Sequence, residues 1–315
     1  MDEKENIPDK NYSSEEKVKY SPKLTISSKK RESVQYNLKR FSDINEKNSC
    51  AKRLLTDASL ANKTKQLRKS LTTKGPKNFD LNENRKNSMK YVDIKSSRRL
   101  VTKELDNIAM HVIKENKAIP TFLGYNGFPA CICTSINEKV VHGIPNEKEI
   151  LKEGDIIAID VGATYGGMVG DSAWSYAVGK ISEEKQMLMK ATEEALFAGI
   201  SKMKAGNVLD DISGAVEDVA NSYKLGIVRQ YGGHGVGHQM HEDPFLFNYR
   251  VGDKTLIKSG MVIAIEPMLN LGCDEVFVED DNWGVITKDR MPSAHFEHTV
   301  LATEDEPILM TTLIQ

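Results

Sequence analysis

The chain has 315 residues, of which 43 are Lys or Arg, 45 are Asp or Glu and 39% are hydrophobic. No apolar run reaches the roughly 18–20 residues of a membrane helix, which excludes a membrane-spanning protein. The acidic start MDEKENIPDK resembles neither a secretory signal nor a transit peptide. The few scattered cysteines exclude a disulfide scaffold, so we expect the cytoplasm, with an organelle as the alternative.

The first 100 residues form a basic leader with 25 Lys and Arg against 13 Asp and Glu, whereas the rest of the chain is acidic overall. The leader is rich in Lys, Asn and Ser and shows no sustained period. We therefore predict disorder over 1–80 and a linker over 81–101. Only 53–71 has Leu and Ala at helical spacing. We interpret the leader as a solvated segment, with contact to a ribosome or another acidic surface as the alternative.

From residue 102 the pattern changes to that of a folded domain. Apolar residues at helical spacing predict helices over 102–116, 184–203 and 208–223. Short apolar runs bounded by Gly or Asn predict strands, four before the second helix and four after the third: ACICTSI, KVVHGI, DIIAIDVGA, SAWSYAV, IVRQYGGHGVG, GMVIAIEPML, GVITK and FEHTVLAT. Strands in blocks rather than in strict alternation with helices indicate an α+β fold with a mainly antiparallel sheet.

Two aspartates lie on either side of a predicted turn. Asp160 is in IIAIDVGA and Asp171 is in MVGDSAW, with TYGG between them. A hairpin symmetric about residues 165–166 places the two side chains directly opposite each other, with Cβ atoms roughly 4.5–5.5 Å apart. Like charges in that position destabilise a sheet, so we predict a divalent cation between them. Two solvent-facing aspartates are the alternative.

Three further side chains suit a metal centre. His234 lies in the glycine-rich segment YGGHGVG, which leaves its imidazole open. Glu266 in MVIAIEPML and Glu297 in AHFEHTVLA are single carboxylates in apolar strands, where a carboxylate is rarely buried unless it is paired or binds metal. Each alone is equally compatible with an ordinary ion pair. With the two aspartates they form an oxygen-rich set that suits two divalent ions of Mn, Fe, Co or Zn.

The segments IDVGATYGGMVGD, GGHGVGHQMHEDP, AIEPM and FEHT resemble the methionine aminopeptidase branch of the pita-bread metallopeptidases, which are M24-like. GYNGFPACICTSINEKVVHGIP and NWGVITKDR are similar to the type I enzymes of bacteria or organelles. The resemblance covers 102–315, and this range is therefore the expected catalytic domain. It implies a pita-bread fold, in which two α-α-β-β halves surround a curved, mainly antiparallel sheet.

The first half departs from this pattern. Residues 75–100 are polar and show no apolar stripe, so its first helix is predicted to be degenerate or missing. A missing helix would leave the apolar face of the 102–116 helix uncovered.

The resemblance implies removal of the N-terminal methionine from nascent polypeptides whose next residue is small, with a hydroxide activated by two metal ions as nucleophile. It assigns Asp160 to the first ion and makes Asp171 and Glu297 bridges between the two ions. His234 and Glu266 would hold the second ion, and Glu266 would also be the general base.

The remaining implied residues would contact substrate. His142 in VVHGIP would hydrogen-bond the scissile amide, and His241 in QMHEDP would stabilise the oxyanion. The methionine pocket would be lined by Tyr125, Phe128, Cys133, Met240 and Trp283. Without the resemblance, these five are equally compatible with an ordinary core. At Met240, moreover, the family usually has an aromatic residue.

We expect a monomer that acts on nascent polypeptide N-termini and makes no membrane contact. Two other functions stay open at this point. One is a non-catalytic binding protein with the pita-bread fold, for which the irregular first half argues. The other is a proline-directed aminopeptidase, against which the motifs around the predicted ligands argue.

Overall fold

A computed structural model of the chain describes residues 100–311 and the backbone of Tyr91–Val92. The predicted disorder over 1–80, the helical pattern over 53–71 and the question of a first helix within 75–100 all lie outside the described residues, as does most of the 81–101 linker. In the part of the chain that is described, no helix is long and apolar enough to cross a membrane.

The described range contains three α-helices, α1 (Thr102–Glu115), α2 (Glu183–Ile200) and α3 (Leu209–Ser222). They confirm the three predicted helices, with ends shifted by a few residues. The hydroxyl of Ser182 accepts the N–H of Lys185 at the start of α2. At the start of α3, the carboxylate of Asp211 accepts the N–H of Val208. Both contacts satisfy backbone N–H groups that lack a partner within the helix.

The strands are short, as predicted, except for one long hairpin. In chain order they are β1 (Tyr91–Val92), β2 (Ile119–Pro120), β3 (Cys133–Ile136), β4 (Lys139–Val141), β5 (Ile156–Tyr165), β6 (Met168–Val178), β7 (Gly226–Ile227), β8 (Gly233–Gly235), β9 (Glu242–Leu246), β10 (Val262–Ile265), β11 (Met268–Asn270), β12 (Val276–Val278), β13 (Val285–Thr287), β14 (Ser293–His295), β15 (His298–Leu301) and β16 (Ile308–Leu309).

Within the described residues these strands form four sheets. The first has the order β1-β6-β5-β2 with β3 also on β5, and the second has the order β16-β15-β10-β8-β9. The two smaller sheets are β14-β11-β7 and β12-β13-β4. Every pairing between these strands is antiparallel except that of β1 with β6. Helix α2 packs on β10, β11 and β14. The α+β class with a mainly antiparallel sheet is therefore confirmed.

The apolar stripe of α1 is covered. Leu105, Ala109, Val112 and Ile113 are each at most 7% exposed and belong to the main hydrophobic core. The uncovered face that a missing first helix would leave is therefore not found, and whether that helix exists lies outside the described residues. Full burial of one such large aliphatic side chain contributes about 1.5–3 kcal/mol relative to exposure.

A buried carboxylate fastens α1 to the segment that leads into β3. Asp106 accepts the backbone N–H of Cys131 at 2.8 Å and its thiol at 2.9 Å, while its other oxygen lies 2.8 Å from the Lys103 ammonium. Burial, and then the Asp106 carboxylate, raise the pKa of the Cys131 thiol well above its usual range. Cys131 is thus a neutral structural donor, and it fixes the start of the strand that carries Cys133.

The β5–β6 hairpin corrects the predicted register. Its turn is the two-residue pair Gly166–Gly167, with φ of +59° and +83°, as a type I′ turn requires. Asp160 therefore pairs with Ala173, and Asp171 pairs with Gly162. The prediction that the aspartates face each other directly is wrong by two positions, because the turn is centred one residue later. They are diagonal neighbours on the same face of the hairpin.

Candidate metal centre

Glu266 and Glu297 lie at facing positions where two neighbouring strands break together. Ile265 pairs with His298 on one side of the break, and Met268 pairs with His295 on the other. The residues between stay in register, since the Phe296 N–H donates to the Pro267 carbonyl at 3.4 Å. Pro267 has no N–H to donate, which interrupts the ladder. The glutamates therefore occupy a gap between strands, not the strand interior predicted for Glu297.

His234 lies in the middle of β8, and its glycine neighbours allow the adjacent strands to approach. A Cβ at Gly235 would lie 2.4 Å from the Asp243 carbonyl oxygen. The imidazole Nδ1 lies 2.9 Å from the Gly235 carbonyl, while Nε2 lies 3.6 Å from both Asp171 Oδ2 and Glu266 Oε1. A hydrogen bond from Nδ1 to a carbonyl leaves Nε2 as the free nitrogen, the arrangement common in metal-ligating histidines.

The five predicted ligands converge at this point. Single ligand atoms of Asp171, His234 and Glu297 all lie within 4.8 Å of one another, and all three residues are buried. Glu266 lies beside these three residues, since its Oε1 is 3.6 Å from His234 Nε2. Asp160 lies beside them as well, because its carboxyl group interacts with that of Asp171. One oxygen each of Asp160, Asp171 and Glu297 is buried with no hydrogen-bond partner among the described residues. Buried, unpartnered carboxylate oxygens fit a site for divalent cations.

Electrostatics within the centre favour a cation as well. Burial, followed by the negative charges of Asp171 and Glu266, raises the pKa of Asp160 well above its usual range. Burial, followed by the charges of the same two carboxylates, also raises the pKa of Glu297 well above its usual range. Burial alone would lower the pKa of His234, but the carboxylates outweigh it and raise this pKa to about 9. The carboxylates thus repel one another and hold protons that a metal ion can displace.

Two hydroxyl groups join the strands that carry the bridging candidates. Thr299 Oγ1 accepts the N–H of Asp171 at 3.0 Å and donates to the Asp171 carbonyl at 2.8 Å. Ser175 Oγ makes the same pair of bonds with the backbone of His295, at 3.0 and 2.9 Å. Between them, the Glu297 N–H donates to the Ala173 carbonyl at 2.8 Å. We call this line of contacts between β6 and β14–β15 the hydroxyl seam.

Three histidines lie beside the carboxylates: His142, His241 and His295. His142 follows β4 with φ of +59°, a conformation that non-glycine residues rarely adopt, and its ring meets that of Tyr231 edge-on at 5.5 Å. The ring of His241 lies 4.2 Å from that of His234. Burial and neighbouring histidines lower the pKa of both His142 and His241 to about 4, so both are neutral near pH 7.

His295 is the residue that sequence reasoning missed. It is 2% exposed, and its Nε2 lies 3.3 Å from Glu266 Oε2. The only available signal was its place two residues before Glu297 in AHFEHT. Alternate residues of a strand share a face, so this spacing places His295 on the side of Glu297, but it does not show that His295 meets Glu266.

The predicted methionine pocket is assembled only in part. Phe128, Cys133 and Met240 lie in one buried cluster, and Trp283 packs against it with its ring 5.1 Å from that of Phe128. Burial, and then the charge of Asp160, raise the pKa of the Cys133 thiol well above its usual range, which keeps the thiol neutral. Tyr125 is exposed instead, and its hydroxyl lies 2.8 Å from His241 Nδ1. The structure thus places Tyr125 beside a histidine at the rim.

Comparison with known proteins agrees with this geometry. The model of metallopeptidase family M24 matches residues 86–304. The chain belongs to this family. It is 50% identical over 204 residues to methionine aminopeptidase 1 of Bacillus subtilis, covering 64% of this chain and 82% of that protein. It is 46% identical over 213 residues to a methionine aminopeptidase of Clostridium acetobutylicum, and the match covers 67% of this chain and 85% of that protein.

A solved structure shares the fold of this M24 chain. The crystal structure of methionine aminopeptidase from Rickettsia prowazekii superposes with a TM-score of 0.71 at 32% identity. The superposition covers 82% of this chain and 95% of that one. The resemblance seen in the motifs and the pita-bread fold expected from it are thereby confirmed.

Proposed function

We propose that this chain is a metal-dependent aminopeptidase that removes the N-terminal methionine from polypeptides whose next residue is small. The observation that carries the proposal is the convergence of Asp171, His234 and Glu297 within 4.8 Å, beside a buried cluster of aromatic and sulfur-containing side chains. Membership of family M24 and the similarity to methionine aminopeptidases support it.

The five carboxylate and imidazole ligands are proposed to hold two divalent ions of Mn, Fe, Co or Zn. Asp160 would hold the first ion, His234 and Glu266 the second, and Asp171 and Glu297 both. When bound, such ions activate a water molecule and polarise the first peptide carbonyl. Two ions carry enough positive charge to balance the four carboxylates, which a single divalent ion does not.

The protein side chains do the remaining chemistry. Glu266 takes the proton of the attacking water and returns it to the departing amine, with its Oε2 held beside His295 Nε2. With the Tyr125 hydroxyl donating to Nδ1 of His241, the Nε2 atom carries the proton and can donate to the developing oxyanion. His142 is neutral near pH 7 and holds the scissile amide, while the Phe128, Cys133 and Met240 cluster receives the methionine side chain.

The domain and its partners complete the proposal. Residues 102–315 form the catalytic domain, which acts as a monomer in the cytoplasm on nascent polypeptide N-termini. The basic leader is proposed to be a solvated segment that can contact the ribosome or another acidic surface. Loss of ribosome binding on deleting 1–95, with a steep dependence on salt concentration, is the result expected for such a contact.

Two other functions are less well supported. A non-catalytic binding protein has no need of a complete ligand set, and here all five positions carry a ligand-type side chain at one site. A proline-directed aminopeptidase with the same fold would cleave Ala-Pro peptides in preference to Met-Ala peptides.

The direct test is hydrolysis of Met-Ala-Ser by the purified full-length chain, stripped of metal and then supplied with Mn²⁺ or Co²⁺. We expect metal-dependent release of methionine from Met-Ala-Ser, little cleavage of Ala-Pro-Ser, and no release by Glu297→Ala. A folded wild-type chain that releases no methionine with either metal would contradict the proposal in favour of a binding protein.

A further inference from the structure

A row of three aromatic side chains lies on the surface beside the metal centre. Phe245 meets Phe247 edge-on with ring centroids 4.8 Å apart, and Phe247 meets Tyr249 in the same way at 5.5 Å. The alternate residues Leu246 and Asn248 are buried, so the three rings share the outer face. Phe245 is 43% exposed, and the other two rings are partly exposed. We call these three residues the aromatic row.

The aromatic row begins at a metal ligand. Phe245 in β9 is the register partner of His234 in β8, and directly paired residues of antiparallel strands project from the same face. The ring of Phe245 lies against Gly232, where a Cβ would meet it at 3.1 Å. Strand β9 starts one residue after His241 and is the last strand of its sheet in the described part of the chain. The row therefore extends along the surface from the proposed metal centre.

An ion pair closes the far end of the aromatic row. The guanidinium of Arg229 lies 4.6 Å from the centre of the Tyr249 ring, and its Nε is 2.6 Å from Asp274 Oδ2. At the near end, Glu242 and Asp243 are exposed to solvent. The exposed apolar surface is thus a short strip with charged groups at both ends, a common form of recognition surface.

We propose that the aromatic row binds the substrate polypeptide from its third residue onward. This inference rests on the proposed function, because it takes the proposed metal centre as the place where the substrate N-terminus binds. An extended chain advances roughly 3.3 Å per residue, so the two ring spacings match a stretch of about three residues. Aromatic rings bind apolar and aromatic side chains best, which gives the row a preference beyond the first two residues.

Binding can be tested without any turnover. The probe is a fluorescent peptide that already lacks methionine, Ala-Ser-Phe-Leu-Phe-Lys, and its comparison is Ala-Ser-Gly-Ser-Gly-Lys. We expect the aromatic peptide to bind the Mn²⁺-loaded full-length chain about threefold to tenfold more tightly by anisotropy. Phe247→Ser should remove this difference, and so should Phe245→Ser, whose side chain is the most exposed of the three.

The chain offers a matched control in Phe277, a 42% exposed aromatic on β12 with Arg290 over its ring at 5.4 Å. Phe277→Ser should leave the difference between the two peptides intact. Equal affinity of the two peptides for the wild type, or an equal loss in Phe277→Ser, would overturn the inference. Thermal melts of all variants separate a binding effect from unfolding.

Turnover then separates the inference from the proposed function. Phe247→Ser should raise KM for Met-Ala-Ser-Phe-Leu-Phe-Lys severalfold while leaving KM and kcat for the dipeptide Met-Ala, which ends before the row, unchanged. An equal loss on both peptides would overturn the inference, because the row would then act on the reaction itself. A wild type that binds the aromatic peptide selectively and cleaves neither substrate contradicts the proposed function alone.

Discussion

The hydroxyl of Thr299 accepts a hydrogen bond from the backbone N–H of Asp171 at 3.0 Å and returns one to the carbonyl oxygen of the same residue at 2.8 Å. The Thr299 side chain thus satisfies both backbone hydrogen-bonding groups of Asp171, as a neighbouring strand would. The contact crosses from β15 to β6, and Thr299 itself lies two residues after Glu297. It therefore couples the positions of the two carboxylates that are proposed to bridge both metal ions.

We predict that Thr299→Val lowers the affinity for divalent metal by about 10–100-fold, because Asp171 loses its backbone support. The unpaired N–H and C=O should also cost about 1–3 kcal/mol of unfolding free energy. Calorimetric titration with Mn²⁺ and a thermal melt measure the two effects. Thr299→Ser retains the hydroxyl and should restore metal affinity.

Thr287 provides the matched control, since its buried hydroxyl donates to the Met291 carbonyl at 2.7 Å, away from the ligands. Thr287→Val should reduce stability and leave metal affinity unchanged. If both valine variants bind metal as the wild type does, Thr299 is a structural residue only.

The metal-free chain should lose stability as the pH rises from 7 to 8. The folded-state pKa of His234 is raised to about 9, so between pH 7 and 8 the folded state holds a proton that the unfolded state has largely released. The raised pKa values of Asp160 and Glu297 act in the same direction. Stability therefore falls with increasing pH, on the order of 1 kcal/mol per pH unit. His142 and His241, whose folded-state pKa values are lowered to about 4, are mostly neutral in both states in this window and add only a small slope of opposite sign.

Denaturant unfolding at several pH values measures this slope, and a saturating divalent ion provides the comparison. The metal displaces the retained protons, so the slope should flatten while metal affinity rises with pH. A metal-free chain that becomes more stable toward pH 8 would refute the proposed protonation of the carboxylates and His234 in the absence of metal.

Replacing a bridging carboxylate should reduce both metal binding and activity. Glu297→Gln keeps the volume of the side chain but removes one negative charge and one ligand oxygen. We expect fewer bound ions per chain by titration, and methionine release more than about 100-fold slower than in the wild type. Glu275→Gln is the control, because this exposed carboxylate pairs with Lys288 at the surface and should leave both measurements unchanged.

Loss of the His241 side chain should lower the rate of methionine release without changing the affinity for metal. We predict that His241→Ala lowers kcat by about 10²–10³-fold at unchanged metal affinity, as expected for removal of one oxyanion donor. His238, three positions earlier, is exposed and its Nδ1 lies 2.9 Å from the Gly167 carbonyl, so His238→Ala should retain full activity. Single-turnover kinetics on Met-Ala-Ser measures the step, and a kcat within twofold of wild type in His241→Ala would rule out this role.

Much of the fold could be predicted from periodicity, because α1, α2 and α3 each bury one continuous stripe. The five ligand candidates could also be found, since a lone carboxylate or imidazole in an apolar run is conspicuous. The hairpin register could not be fixed, because TYGG allows more than one turn and only the two positive φ values select Gly166–Gly167. The role of Thr299 depends on a contact between separate sheets, and that of His295 on a contact across the break between neighbouring strands; no local pattern encodes either contact.

The shared break that carries Glu266 and Glu297 also limits where the chain can vary in length. Because side chains alternate along a strand, one extra residue between β10 and β11, or between β14 and β15, would turn a glutamate to the opposite face. Both breaks therefore exclude insertions of a single residue. The segment that connects β11 to β14 contains the β12–β13 hairpin, and it lies outside the two breaks that carry the glutamates. Evolution and protein engineering can lengthen the sequence there without moving either carboxylate.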